Sequence, residues 1–193
     1  MKSVERSELL PLGDYEVVRE PFRRRVIEEK RRRRVQLGGH ISAVFENHDT
    51  VLLQVQEMLR TERISREDAI QHELETYNAL IPGEDELSLT LFVEIPEREE
   101  RDRMLIALAG LEECVALEVD GVTVRAAGEV RDGSREDRTT AVHYFRFTLP
   151  PEVARQLRKR DVQHVALTVL HPKYPARVEL SRELVGELAC DLS

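Results

Sequence analysis

The Asp-Gly dipeptide at residues 120–121 constrains the fold more tightly than any other feature of this sequence. Apolar and polar residues alternate on both sides of it, which is the pattern of two half-buried strands joined by a two-residue type I′ turn. Such a turn pairs Val119 with Val122 and Leu117 with Val124 on one face of the hairpin. An antiparallel hairpin is therefore predicted around this turn.

Most other predicted strands are also joined by turns rather than by crossover helices. Strands are predicted at residues 87–95, 140–149 and 165–171, helices over 65–81, 97–110 and 150–159 and from Ser181 onward, and a polar loop at 131–139. Antiparallel connections of this kind favour an α+β fold. We expect a largely antiparallel, strongly twisted sheet, with helices packed on one side and an N-terminal helical arm.

A second hairpin is predicted at residues 41–57. Ile41 and Phe45 alternate with polar neighbours, and so do Val51 and Val55. A three-residue turn at 47–49 places all of these apolar side chains on one face. The second strand then ends at Glu57, where a helix begins.

Polar residues of this hairpin are candidate ligand-binding or partner-binding residues. On its polar face His40 is expected to lie opposite Gln56, with Gln54 beside them, and Glu46 lies next to the turn. Two interpretations stay open: these side chains hydrogen-bond a ligand or partner, or they meet only solvent or a covering helix.

Residues 1–39 are predicted to form a basic helical arm, and residues 40–193 a single α+β domain. Asp14 can cap a helix whose apolar stripe runs from Tyr15 to Val26. Pro21 lies inside this stripe and should kink the helix or begin a second one.

The arm differs in charge from the rest of the chain. Residues 1–40 have a net charge of +4 and the remainder −12, which together give −8. Arg31, Arg32, Arg33 and Arg34 are therefore candidates for binding an anion, nucleic acid, the chain's own body or a second copy. No aromatic residues are interleaved with the arginines, which disfavours a base-stacking platform and makes nucleic acid the least expected partner.

Candidate metal ligands are Glu57, His143 and His171, because each lies near the end of a predicted strand on its apolar face. Two histidines and a carboxylate suit Fe, Mn or Zn with open coordination positions. The alternative is structural: buried histidines commonly bond to carbonyl groups, and Glu57 at a helix start favours the helix dipole. No nucleotide-binding loop, nucleophile elbow, HExxH or CxxC motif is present.

The sequence indicates a cytoplasmic protein without a membrane segment. The N-terminus lacks the apolar region of a secretory signal, and no apolar run reaches the roughly 18 to 20 residues that span a bilayer. Cys114 and Cys190 are far apart, match no metal-binding spacing and suit a reducing compartment.

Several segments together resemble an uncharacterised bacterial family, one of the domains of unknown function. The most specific segments are FENHDTV and QVQEMLRTER, with HYFRF and HPKYPA further along the chain. Genes of that family often neighbour those of rubrerythrin-like di-iron proteins and of an iron–sulfur oxidoreductase related to heterodisulfide reductase. The resemblance implies a role beside peroxide or oxygen-stress redox chemistry, without catalytic residues to carry over.

Three hypotheses follow. The first is an accessory or interaction protein of a redox system, which acts as a homo-oligomer or with a protein partner. The second is a mononuclear metal enzyme that uses the triad of Glu57, His143 and His171. The third is a nucleic-acid-binding module that uses the arginine-rich arm.

Overall fold

Two antiparallel β-sheets form the centre of the protein. The computed structural model describes residues 1–128 and 137–192. The first sheet contains, in spatial order, β1 (Arg34–Leu37), β2 (Ile41–Phe45), β3 (Glu86–Val93), β7 (Val142–Thr148) and β6 (Ala127–Gly128). The second contains β5 (Val122–Arg125), β4 (Val115–Val119), β8 (Val165–His171) and β9 (Tyr174–Glu179). The α+β prediction is confirmed, with two sheets in place of one.

The main hydrophobic core lies between the two sheets. Alternate residues of each strand point into it, including Phe45 of β2, Leu89 of β3 and Leu167 of β8, which are at most 1% exposed. Three helices add leucines to the same core: α4 (Arg98–Ala107), α5 (Pro151–Lys159) and α6 (Arg182–Asp191). This arrangement follows from the alternating apolar pattern, because each strand buries one face.

A layer of helices covers the other face of the five-stranded sheet. It consists of α1 (Leu12–Arg32), α2 (His48–Thr61) and α3 (Glu67–Asn78), and its apolar residues form a second buried cluster. Tyr144 of β7 packs against this cluster, whereas its neighbour Phe145 faces the core between the sheets. These three helices therefore lie outside the sheets. Among the residues that the structure describes, no helix is both long and apolar enough to cross a bilayer.

The predicted strand at residues 51–57 is wrong, because this segment is part of α2. Asn47 caps the helix: its side chain accepts a hydrogen bond from Thr50 N, and its own N–H donates to Thr50 Oγ1, each at 2.9 Å. Val51, Val55 and Leu59 recur every four residues and are buried, which is helical periodicity. The segment at 47–49 is thus a capping box rather than a hairpin turn.

The Asp-Gly hairpin is confirmed. Val119 pairs with Val122 and Leu117 with Val124, as predicted. Both turn residues have positive φ, 45° at Asp120 and 87° for the glycine after it, as a type I′ turn requires. The predicted loop at 131–139 lies largely outside the described residues.

Three strands were not predicted: the two-residue β6, and β1 and β9, which meet at one edge of the two sheets. β1 lies inside the segment expected as a helical arm, so residues 1–39 contain a helix followed by a sheet strand. Tyr174 of β9 donates a hydrogen bond to Leu37 O at 2.7 Å and accepts one from His40 N at 3.1 Å. Gly38, with φ of 76°, allows the β1–β2 turn to pass close to this ring.

Candidate functional site

The three predicted metal ligands lie in separate parts of the structure. Glu57 is on α2, in the helix layer. His143 stacks on Phe145 on the opposite face of the five-stranded sheet, and His171 ends β8 in the other sheet. Among the described residues, no three His, Cys, Asp or Glu side chains could share a metal ion. The structure does not bring the triad together, because Glu57 belongs to a helix rather than to a strand of the core.

Both histidines have internal hydrogen-bond partners. The Nε2 atom of His143 lies 2.9 Å from Thr139 Oγ1 and 2.8 Å from Thr140 O. Burial lowers the pKa of His143, since the charged ring would lose its hydration. The Nε2 atom of His171 lies 3.1 Å from Ala109 O. The structural interpretation of these residues accounts for their contacts.

Glu57 fastens α1 to α2. Its two carboxylate oxygens accept hydrogen bonds from Arg19 Nε and Nη2, both at 2.8 Å, and Tyr15 donates its hydroxyl at 2.7 Å. The Arg19 hydrogen bonds lower the pKa of Glu57, while burial raises the pKa of the Tyr15 phenol. A bidentate pair of this kind fixes orientation as well as distance.

Arg33 fastens the other end of α1 to the C-terminal helix. It is 2% exposed, and its Nη2 atom donates to Asp191 Oδ1 at 2.9 Å and to Glu187 Oε2 at 3.3 Å. Its Nε atom lies 3.3 Å from Glu29 of α1 itself. One buried guanidinium therefore serves three carboxylates, and α1 is held on the body of its own chain.

The other arginines of the predicted 31–34 cluster also pair within the chain. The ion pairs are Arg31 with Glu28, Arg32 with Glu187 and Arg34 with Glu94. Carboxylates close to these guanidiniums offset the positive field that a phosphate backbone would need. The arginines at 31–34 therefore mainly form ion pairs within the chain.

Gln56 and Glu46 make buried structural contacts. The amide of Gln56 accepts a hydrogen bond from Leu10 N and donates one to Leu10 O, both at 3.0 Å, which holds the N-terminal segment on α2. Glu46 accepts hydrogen bonds from the hydroxyls of Thr50 and Thr90. These side chains are 2% exposed and do not face solvent.

His40 and Gln54 are half-buried but do not face one another as predicted. His40 lies in the β1–β2 turn, whereas Gln54 lies on α2. The expected polar face shared by these residues is not formed, because it depended on the hairpin that α2 replaces.

The outward side of α1 exposes an apolar surface. Val17 is 81% exposed, and Val18 and Leu10 are each 39% exposed. A groove of about 220 Å³ beside Val18 and Leu10 is lined by Leu10, Tyr15, Val18, Phe22 and Leu52, and also by Glu8 and Gln56. We call this surface, comprising Val17 and the groove, the α1 face. Exposed apolar side chains grouped on one element can mark interaction sites.

Two arginines beside the α1 face have no carboxylate partner among the described residues. They are Arg23 and Arg24, which are fully on the solvent side of α1. Arg25, by contrast, pairs with Asp49 and lies over the Phe22 ring at 5.4 Å. The solvent side of α1 therefore carries these two arginines as well as Val17, while Glu8 lines the groove.

Sequence reasoning missed Val17, although a signal for it was present. The predicted buried stripe of α1 begins at Tyr15 and continues through Val18, Phe22 and Val26. Val17 is apolar but lies off this stripe, so it must point to solvent when the stripe is buried. The hydrogen bonds that Arg19 and Tyr15 make to Glu57 have no comparable signal in the sequence, because they depend on how α1 packs against α2.

Comparisons with known proteins agree with this fold. Residues 3–192 match the DUF3501 family, described as a protein of unknown function. A crystal structure of a novel protein of unknown function from Burkholderia pseudomallei is 34% identical, with a TM-score of 0.92 and 100% of each chain covered. No curated protein matches the sequence. This chain belongs to the DUF3501 family.

Proposed function

We propose that this protein is a cytoplasmic interaction protein that docks a protein partner on the α1 face. The observation that supports the proposal best is Val17, an aliphatic side chain that is 81% exposed on a helix anchored at both ends. A single exposed apolar residue is ordinary, but here Val18 and Leu10 are exposed as well, and both line a groove at the same helix.

Anchoring makes the α1 face a preorganised surface. The Glu57 and Arg33 ion pairs fix the two halves of α1 to α2 and α6. A rigid face loses little conformational entropy on binding, so a modest apolar contact can give useful affinity. The buried polar contacts thus support binding without touching the partner.

The charge of the α1 face indicates the chemistry of the partner. Arg23 and Arg24 have no carboxylate partner in the part of the chain that the structure describes, and both are exposed on the helix that carries Val17. We propose an acidic protein segment that inserts one or two apolar side chains into the groove. Electrostatic attraction would speed its association and weaken with added salt. From the family resemblance, di-iron and iron–sulfur redox proteins are the first partners to test.

A photo-crosslinking amino acid at position 17 tests the proposal in cells of the source organism. Ile106 on α4 is the matched control, because it is also aliphatic and 56% exposed but belongs to a helix of the main core. The proposal predicts an adduct with one acidic protein at position 17 and not at 106, and binding of that purified protein to the wild type.

Two results would overturn the proposal. One is the same set of adducts at both positions, which would indicate unspecific contact. The other is an adduct between two copies of this chain, accompanied by a dimer mass in light scattering. The second result would make the α1 face a self-association surface, the alternative already apparent from the opposite charges of the arm and the body.

A further inference from the structure

We propose that a cleft between the end of α5 and α6 binds a small phosphate monoester that carries an apolar group. The cleft has a volume of about 330 Å³ and lies apart from the α1 face. It is lined by Arg160, Val162, Gln163, Val165, Leu180, Arg182, Val185 and Gly186. Its size falls at the lower end of the range for small-molecule sites.

The two arginines of the cleft have no carboxylate partner within residues 1–128 and 137–192. Among the described residues Arg182 makes no ion pair, and Arg160 makes only a 3.5 Å contact from Nη2 to Cys190 Sγ. Their neighbours differ: Arg155 pairs with Glu152, and Arg158 pairs with Asp85. No acidic residue is among the described residues lining the cleft. Two guanidiniums at one concavity suit a dianionic phosphate, whose terminal oxygens can accept hydrogen bonds from both.

The floor of the cleft indicates the rest of the ligand. Besides its polar groups, the cleft is lined by Val162, Val165, Leu180 and Val185, which offer apolar contact and no hydrogen-bonding side chain. Gln163 on the rim adds an amide. A phosphate bound by the arginines would therefore direct its organic group onto apolar surface, so an apolar ester should bind more tightly than inorganic phosphate.

Gly186 keeps the cleft open. It lies inside α6, four residues after Arg182, so both are on the same side of the helix. Glycine inside a helix costs about 1 kcal/mol relative to alanine, so its presence here is disfavoured by local propensity. A Cβ at this position would come within 3.9 Å of the Arg160 guanidinium carbon, and a longer side chain would extend into the cleft.

Calorimetric titration of the full-length protein with phenyl phosphate tests the inference, with inorganic phosphate and benzoate as reference ligands. Arg182→Gln and Arg160→Gln should each weaken phenyl phosphate binding about tenfold or more, since each removes hydrogen bonds to a charged group. Gly186→Leu should abolish binding without changing any charge. Arg155→Gln is the matched control, because Arg155 is exposed on α5 outside the cleft, and it should bind as the wild type does.

Several outcomes would overturn the inference. The first is that phenyl phosphate does not bind at about 10 mM, a concentration well above the dissociation constants of ordinary ligands. The second is that inorganic phosphate and phenyl phosphate bind with equal affinity. The third is that Gly186→Leu binds phenyl phosphate as the wild type does. Thermal unfolding of each variant verifies that it folds. A failure here leaves docking on the α1 face untouched, because the two sites share no residue.

Discussion

At the scale of single residues, His143 illustrates how burial decides the chemistry of a side chain. It was a candidate metal ligand, yet its ring stacks on Phe145 and bonds to Thr139 and Thr140. Because burial lowers its pKa, His143 is neutral in the folded protein around neutral pH. From the sequence alone, His143 fits the pattern of a metal ligand and that of a buried core histidine equally well. Only the residues packed around it distinguish the two roles.

This burial predicts a pH dependence of stability. In the unfolded chain His143 takes up a proton as the pH falls through about 6.5, whereas the folded protein resists protonation until a lower pH. The free energy of unfolding should therefore decrease as the pH falls below that value. His143→Gln should show a smaller decrease in urea unfolding between about pH 7.5 and 5.5. Equal decreases in both proteins would contradict the assignment, and the exposed His72→Gln serves as the control.

Among the charged residues, we expect Arg33 to make the largest single contribution to the free energy of unfolding. Arg33→Met leaves the Asp191 and Glu29 carboxylates without their cation, so it should lower the free energy of unfolding by about 3–5 kcal/mol. Arg31→Ala removes only an exposed pair with Glu28 and should change it by less than about 0.5 kcal/mol. Chemical denaturation measures both. Similar values for the two variants would show that Arg33 is not buried as described.

At the scale of elements, the start of α2 depends on the Asn47 cap. Asn47→Ala removes the acceptor for Thr50 N and should destabilise the protein by about 1 kcal/mol. Asn47→Ser keeps a capping oxygen and should lose less, although it gives up the Glu29 contact. Urea unfolding of the three proteins measures the difference. No loss in Asn47→Ala would argue against a capped helix at this position.

The same element shows where sequence reasoning succeeds and where it fails. The hairpin at residues 120–121 was predicted correctly because Asp-Gly and the flanking alternation admit few other local structures. Residues 51–55 alternate too, but they also fit a helix, and the capping contact of Asn47 with Thr50 decides between the two. β9 was missed because Pro172 and Pro175 disfavour a strand, although an edge strand tolerates proline.

The candidate site was less predictable than the fold. Arg19 and Glu57 are 38 residues apart, and Arg33 and Asp191 are 158 apart. Pairings over such distances depend on the packing of whole elements, which local periodicity does not encode. Exposure of Val17 was the exception, because it follows from the helical stripe alone.

At the scale of the whole molecule, the two sheets and the helix layer have different roles. The core between the sheets sets the fold, and the helix layer presents a fixed surface to solvent. Part of the positive charge of residues 1–40 is neutralised by carboxylates of the rest of the chain, in the ion pairs of Arg19, Arg25 and Arg33. Arg23 and Arg24 are exposed on α1 and have no carboxylate partner among the residues that the structure describes.

The most direct measurement is a calorimetric titration of the crosslinked partner into the wild type, Val17→Asp and Ile106→Asp. If the partner docks on the α1 face, Val17→Asp should weaken binding at least about tenfold, because it places a carboxylate where an acidic segment and its apolar anchor dock. Ile106→Asp should bind as the wild type does, and both variants should unfold at the wild-type temperature, since both side chains are exposed. Wild-type affinity in Val17→Asp would contradict docking of the partner on the α1 face.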